Sequence, residues 1–270
     1  MLKHRLLTAL ILIPLVIGLI YFAPYPLFLS ILLAIVLWAG WEWSLFCFRK
    51  KIWRLSYVIG LFLLCIGLYF YAIPSVIFYG TMLAFWLWAS VAVIAYQKRG
   101  LSIGFQYRMT KILFGWDALI CFGLALSELT QNPNGANYLL ALLLLVWSMD
   151  TGAYFAGKFW GTRYLAQKIS PKKTWEGLWG GALLTGVVYV ALIVVGIIPR
   201  QNLLGQCIWI ILLIYLSLMG DLFESFLKRQ VGIKDSANIL PGHGGLLDRI
   251  DALIAATPAF VLMLTWLQVI

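Results

Sequence analysis

Long apolar runs separated by short polar breaks dominate the chain. They fall at about residues 6–22, 26–48, 56–73, 75–97, 112–129, 137–157, 178–199, 206–227 and 246–268. Each is close to the roughly 20 residues that cross a hydrocarbon core about 30 Å thick. The pattern predicts nine transmembrane helices in an all-α, polytopic integral membrane protein. The first run follows a short basic start, Met1 to Arg5, and in that respect resembles a signal peptide. Pro24 and Pro26 come next without an A-x-A cleavage pattern, so a retained first helix is expected. No polar stretch is long enough to fold as a soluble module. A single membrane-embedded domain is expected, with amino-terminal helices over about 1–111 and the chemistry-bearing helices and loops over about 112–270.

Composition agrees with the pattern: 63% of residues are hydrophobic, only 11% are charged, and there are 13 tryptophans. Cys47, Cys65, Cys121 and Cys207 all lie inside apolar runs without C-x-x-C spacing, which indicates neither a zinc site nor a disulfide framework. The formal charge of +10 would suit nucleic acid, but the basic residues sit in short loops beside apolar helices. Anionic head groups and phosphorylated substrates explain them better, and no nucleic-acid partner is expected. With nine spans, all of the 20 Lys and Arg except Arg200 fall on one side. The positive-inside rule then puts the amino terminus in the cytoplasm and the carboxyl terminus outside. The unusual chemistry faces the cytosol.

Seven of the ten carboxylates lie within or at the ends of apolar runs: Glu42, Asp117, Asp150, Asp221, Glu224, Asp248 and Asp251. An ionisable group at the centre of a membrane helix costs about 2.5 to 3.5 kcal/mol, so such groups read first as functional. Asp221 and Glu224 are spaced i, i+3, and Asp248 and Asp251 repeat that spacing one helix later, so two helices can present facing acidic pairs. Acidic oxygens on one face suit a divalent cation. The plainer reading pairs each carboxylate with a nearby Lys or Arg to tie helices together. Glu42, among Trp38, Trp41 and Trp43, fits interfacial anchoring as readily as a site.

Two polar segments concentrate the remaining chemistry. In Asp150 to Gly181, DTGAYFAGKFWGTRYLAQKISPKKTWEGLWGG, Gly152, Gly157 and Gly161 allow close approach while Lys158, Arg163, Lys168, Lys172 and Lys173 can face phosphates. Ser170 and Pro171 read as a turn, and Thr174 to Gly177 as the start of a helix whose amino end can bind an anion. No G-x-x-x-x-G-K-[ST] pattern is present. In Ser225 to Asp251, SFLKRQVGIKDSANILPGHGGLLDRID, Gly232 and the run from Pro241 to Gly245 predict a bent, close-approach loop. His243 is a candidate to transfer a proton, donate to phosphate or orient the loop. Lys228, Arg229 and Lys234 can neutralise phosphate oxygens or anchor the interface.

The spacing SxxKRxxxxKDxxxxxPGHGGxxDRxD from Ser225 to Asp251 resembles the signature of the phosphatidate cytidylyltransferases, and DTGAYFAGKxxG with ISPKKTWEG resembles it independently. The resemblance covers those two segments directly; the amino-terminal third is similar mainly in hydropathy. It implies an enzyme of the bacterial cytoplasmic (inner) membrane that joins CTP to phosphatidate, giving CDP-diacylglycerol and pyrophosphate, with Mg²⁺ and room for a second cation. CTP, phosphatidate and membrane lipids are the implied partners, and a homodimer the implied assembly. On this expectation Asp221, Asp248 and Asp251 hold metal, with Asp150 and Glu224 as further ligands. Lys228, Arg229 and His243 join them in catalysis, and Lys158, Lys172, Lys173, Ser225, Lys234, Arg249, Gly244 and Gly245 bind substrate phosphates.

Other classes fit less well. An ion-coupled carrier also uses intramembrane carboxylates, but no internal repeat is evident and the polar groups cluster towards one side. A transferase acting on another membrane phosphate, such as a polyprenyl phosphate, remains the nearest enzymatic alternative. The D-G-x-x-A-R and G-x-x-x-D-x-x-x-D spacing of CDP-alcohol phosphotransferases is absent.

Overall fold

The computed structural model describes residues 13–70, 75–234, 236–237 and 244–270. Its helices follow the apolar runs: α1 (Ile13–Phe22), α2 (Tyr25–Trp43), α3 (Lys51–Phe70), α4 (Ser75–Arg99), α5 (Arg108–Gln131), α6 (Gly135–Trp160), α7 (Trp175–Val194), α8 (Leu203–Val231) and α9 (Leu247–Trp266). Seven of them, α2 to α8, are long and apolar enough to cross a membrane by length and composition. The protein is a polytopic, helical membrane protein. Its outer surface carries Ile52, Leu55, Ile59 and Leu63 of α3 and Leu183, Val187 and Val190 of α7, all exposed. In water such a surface would aggregate; in lipid it is the expected finish.

α9 forms the axis of the bundle. It packs along α8 and also touches α2, α4, α5 and α6. Ala252, Ala255, Ala256 and Ala259 are buried on it, and these small side chains let the neighbours come close. At Gly220 of α8 an added Cβ would strike the backbone carbonyl of Asp251, so the α8–α9 crossing depends on the missing side chain. α6 and α7 pack in the same way, along a seam in which Gly152 lies against the backbone of Gly180 and Gly181, and Gly177 against the carbonyl of Ala153.

Two expectations change. The segment between α6 and α7 contains an antiparallel hairpin, β1 (Tyr164–Ala166) and β2 (Ser170–Thr174). The turn therefore lies at residues 167–169, and Ser170 and Pro171 open the second strand. A proline is tolerated there because in a two-stranded ribbon one side of each strand is an edge. The apolar run at 206–227 also understates its helix, since α8 continues to Val231 and carries Asp221, Glu224, Lys228 and Arg229 on one continuous helix. Gly232 ends it in the left-handed conformation at φ 75°, with Ile233 N donating to Lys228 O.

Beneath the polar end of α8 lies an aromatic block. Phe223 sits 4.5 Å from Phe114, 4.8 Å from Phe105 and 5.8 Å from Phe226, with Trp43 and Trp86 beside it. These edge-on and tilted contacts fix the helix that carries the acidic pair.

Candidate active site

The two acidic pairs meet at the junction of α8 and α9. The helices run antiparallel, so Asp221 lies towards Asp251 and Glu224 towards Asp248, as the repeated spacing predicts. Lys228, buried and one turn beyond Glu224, bridges the second couple: its Nζ lies 2.7 Å from Glu224 Oε2 and 2.5 Å from Asp248 Oδ1. The other oxygen of Asp248 accepts from Gly245 N at 2.8 Å, Ser236 N at 3.1 Å and Ser236 Oγ at 3.0 Å. Both of its oxygens are thus engaged within the protein.

The first couple is different. Asp150 on α6, Asp221 on α8 and Asp251 on α9 lie within Coulombic reach of one another, with Lys173 and Arg249 as the nearby cations. Lys173 Nζ pairs with Asp221 Oδ2 at 2.6 Å, while Ser225 Oγ makes only a long contact of 3.4 Å to the other oxygen. Asp251 Oδ1 accepts from the adjacent Ala252 N at 2.7 Å. Among the described residues, the donors to these three acidic groups named here are Lys173, Ser225 and the Ala252 amide. Among the described residues, no three His, Cys, Asp or Glu side chains are already close enough to hold a metal ion. The oxygen donors are of the type that hard divalent cations take.

The hairpin supplies the cation. Along β2 successive side chains point to opposite faces, so Lys173 turns inward to Asp221 and Lys172 outward to solvent. Lys168 N donates to Gln97 Oε1 at 2.9 Å and Arg229 Nε to Ile169 O at 3.1 Å, pinning the turn to α4 and α8. At its base, Glu176 accepts from Thr162 Oγ1 at 2.7 Å and from Thr162 N and Arg163 N at 3.2 Å. Thr174 Oγ1 caps α7 by accepting from Gly177 N at 3.1 Å, so the helix starts where the sequence placed it.

The expected site residues therefore separate. Asp150, Asp221, Asp251, Lys173 and Ser225 come together, and Arg249 lies beside Asp150. Lys228, Glu224 and Asp248 form a second, adjoining network. Arg229 holds the hairpin. Lys158 is exposed on α6, 5.8 Å from the ring centres of both Tyr154 and Phe159. Lys172 and Lys234 are exposed. Gly244 takes φ 78°, whereas Gly245 is buried against Ser236 and Glu42, its N–H already given to Asp248. His243 lies outside the described residues. Cys47 is buried beyond the end of α2, and burial pushes its thiol up to about 12, which leaves it a poor metal ligand.

Glu42 and Ser236 are the residues whose place the sequence did not disclose. Glu42, at the end of α2, is fully buried. It accepts from Leu246 N at 3.0 Å, Leu247 N at 2.7 Å, Ser236 Oγ at 2.8 Å and Trp38 Nε1 at 3.1 Å. The interfacial-anchor reading fails because the carboxylate faces inward. The available signal was the amino end of α9, where Leu246 offers no side-chain cap and the first N–H groups need an acceptor from elsewhere.

Comparisons with known proteins identify the family. A model of the cytidylyltransferase family matches residues 3–267. The chain belongs to the cytidylyltransferase family. Within the family, it is 36% identical over 268 residues to a phosphatidate cytidylyltransferase of Pseudomonas aeruginosa, covering 98% of this chain and 97% of the relative. A phosphatidate cytidylyltransferase of Haemophilus influenzae is 35% identical over 283 residues, covering 96% and 97%. The protein of that name from Bacillus subtilis is 38% identical over 145 residues, 54% of each chain.

Proposed function

We propose that this chain is a phosphatidate cytidylyltransferase, joining CTP to phosphatidate to give CDP-diacylglycerol and pyrophosphate. The observation that carries the reading is the meeting of Asp150, Asp221 and Asp251 with Lys173 at one end of an apolar bundle. A lipid phosphate held in a leaflet and a nucleotide arriving from water can reach such an end together.

The reaction balances without an added base. An oxygen of the phosphatidate phosphate, already ionised near neutral pH, attacks the α-phosphorus of CTP. The new P–O bond forms as the bond from the α-phosphorus to the bridging oxygen breaks, and pyrophosphate leaves with that electron pair. Bringing two anions together makes positioning and charge neutralisation the main tasks. Asp150, Asp221 and Asp251 would hold Mg²⁺, which supplies charge stabilisation at the phosphates. Asp248 is left out of this set because both its oxygens are engaged. Lys173, paired with Asp221, would supply positive charge beside a substrate phosphate. Arg249 would contribute a second positive group, and Arg229 keeps the hairpin against α8.

The basic loops support a membrane orientation with this end in the cytosol and the amino terminus on the same side. We assign the protein to the cytoplasmic membrane of a bacterium on that basis and on the source of its relatives. The decisive experiment follows pyrophosphate release by the detergent-purified protein given CTP and phosphatidate, with and without Mg²⁺. Release that needs both, with CDP-diacylglycerol as lipid product, is the expected result. Release restored by a different lipid phosphate in place of phosphatidate would overturn the substrate assignment.

A further inference from the structure

We infer that Glu42 is a positioning residue for the transfer reaction: a cap supplied from α2 to the amino end of α9 that sets where Asp251 stands relative to Asp221. The inference rests on the reading that Asp251, Asp221 and Asp150 hold the cation.

The geometry leads to it directly. α9 begins without a side-chain cap of its own, and its first free N–H groups, those of Leu246 and Leu247, both point to Glu42. A carboxylate at that end interacts favourably with the helix dipole as well as with the two donors. Asp251 sits one turn further along the same helix, where Gly220 brings α8 against its backbone. A shift of the amino end of α9 therefore moves Asp251 along α8 and changes its separation from Asp221.

Ser236 joins this cap to the adjoining network. Its hydroxyl lies 2.8 Å from Glu42 Oε2 and 3.0 Å from Asp248 Oδ2, and its one proton serves one of these at a time. Asp248 then continues to Lys228 and Glu224. Gly245 leaves no room for a side chain between them, since a Cβ there would meet both Ser236 Oγ and Glu42 Oε2. Through this carboxylate α2 reaches the start of α9.

The test compares wild type with Glu42→Gln, Glu42→Asp and Ser236→Ala in detergent, measuring kcat and KM for both substrates, the Mg²⁺ dependence, and Mn²⁺ binding by electron paramagnetic resonance. Glu42→Gln replaces one acceptor oxygen by an amide that cannot receive the α9 donors. We expect kcat and Mn²⁺ affinity to fall by about 10- to 100-fold, the size seen when groups orienting metal ligands are removed, with KM for CTP little changed. Ser236→Ala should move the same quantities in the same direction by a smaller factor, and Glu42→Asp should recover part of the loss. If Glu42→Gln does not fold, Ser236→Ala alone decides. Folded variants with wild-type kcat, Mg²⁺ dependence and Mn²⁺ affinity would overturn the inference. A wild-type protein that binds no Mn²⁺, or makes no CDP-diacylglycerol, would instead overturn the reading on which it rests.

Discussion

The two carboxylate groups at the α8–α9 junction differ in how far the protein satisfies them. Asp248 and Glu42 receive backbone, hydroxyl, indole and ammonium donors, whereas Asp150, Asp221 and Asp251 share Lys173 and little else among the contacts described above. Both groups come from carboxylates that lie within or at the ends of apolar runs. The difference separates carboxylates tied into hydrogen-bond networks from carboxylates that, on the proposed function, would hold a cation. A membrane protein can keep the first at modest cost because each oxygen of Asp248 and Glu42 faces a donor. Carboxylates of the second kind read first as functional.

The comparison breaks most clearly through activity. Asp251→Asn and Asp221→Asn should each lower CDP-diacylglycerol formation by on the order of 10²- to 10³-fold, the usual loss when a group stabilising transition-state charge is removed. Their thermal unfolding in detergent should stay at or above that of wild type, because a like charge has been taken away. Full activity in both variants would remove the cation from these residues.

Asp248→Asn should show the reverse emphasis. It leaves the buried Lys228 with Glu224 as its remaining counter-ion among the described residues, so the loss should fall below the about 3 to 5 kcal/mol that an uncompensated buried charge costs. Thermal melting should report that loss. A stable but inactive Asp248→Asn would place this residue with Asp221 and Asp251. Gly220→Ala comes next: its methyl would push α9 away at Asp251, so activity should fall by about 10-fold or more while the fold survives. The smallest contrast lies within the hairpin. Lys173→Ala should raise KM or lower kcat by several-fold, and its exposed neighbour Lys172→Ala should change either by less than about two-fold. Equal effects would show that strand alternation does not decide which lysine serves the site.

Most of the fold was legible because a membrane helix writes its length into the chain. The runs that became α2 to α8 needed no tertiary information, and the D-x-x-E and D-x-x-D spacings placed the acidic faces correctly on α8 and α9. The hairpin was less visible. YLAQKISPKKT contains two lysines in succession and a proline, and it pairs as strands only because α6 and α7 hold its ends together. Spacing also could not distinguish Asp248 from Asp251, since the difference lies in Lys228 reaching across from another helix. Glu42 was the least legible. Two of its donors are backbone amides at Leu246 and Leu247, far along the chain, and a backbone amide has no letter of its own.

The glycine seam between α6 and α7 bears on how freely this sequence can drift. Where backbone lies on backbone, no rotamer can absorb a change, so a single added methyl at Gly152 or Gly181 must be accommodated by moving a whole helix. The hairpin stands on these two helices, and its displacement would carry Lys173 with it. Mutational tolerance should therefore be lower along this seam than at exposed lysines such as Lys172 and Lys234, and the strictest positions in the enzyme would include some that carry no functional group at all.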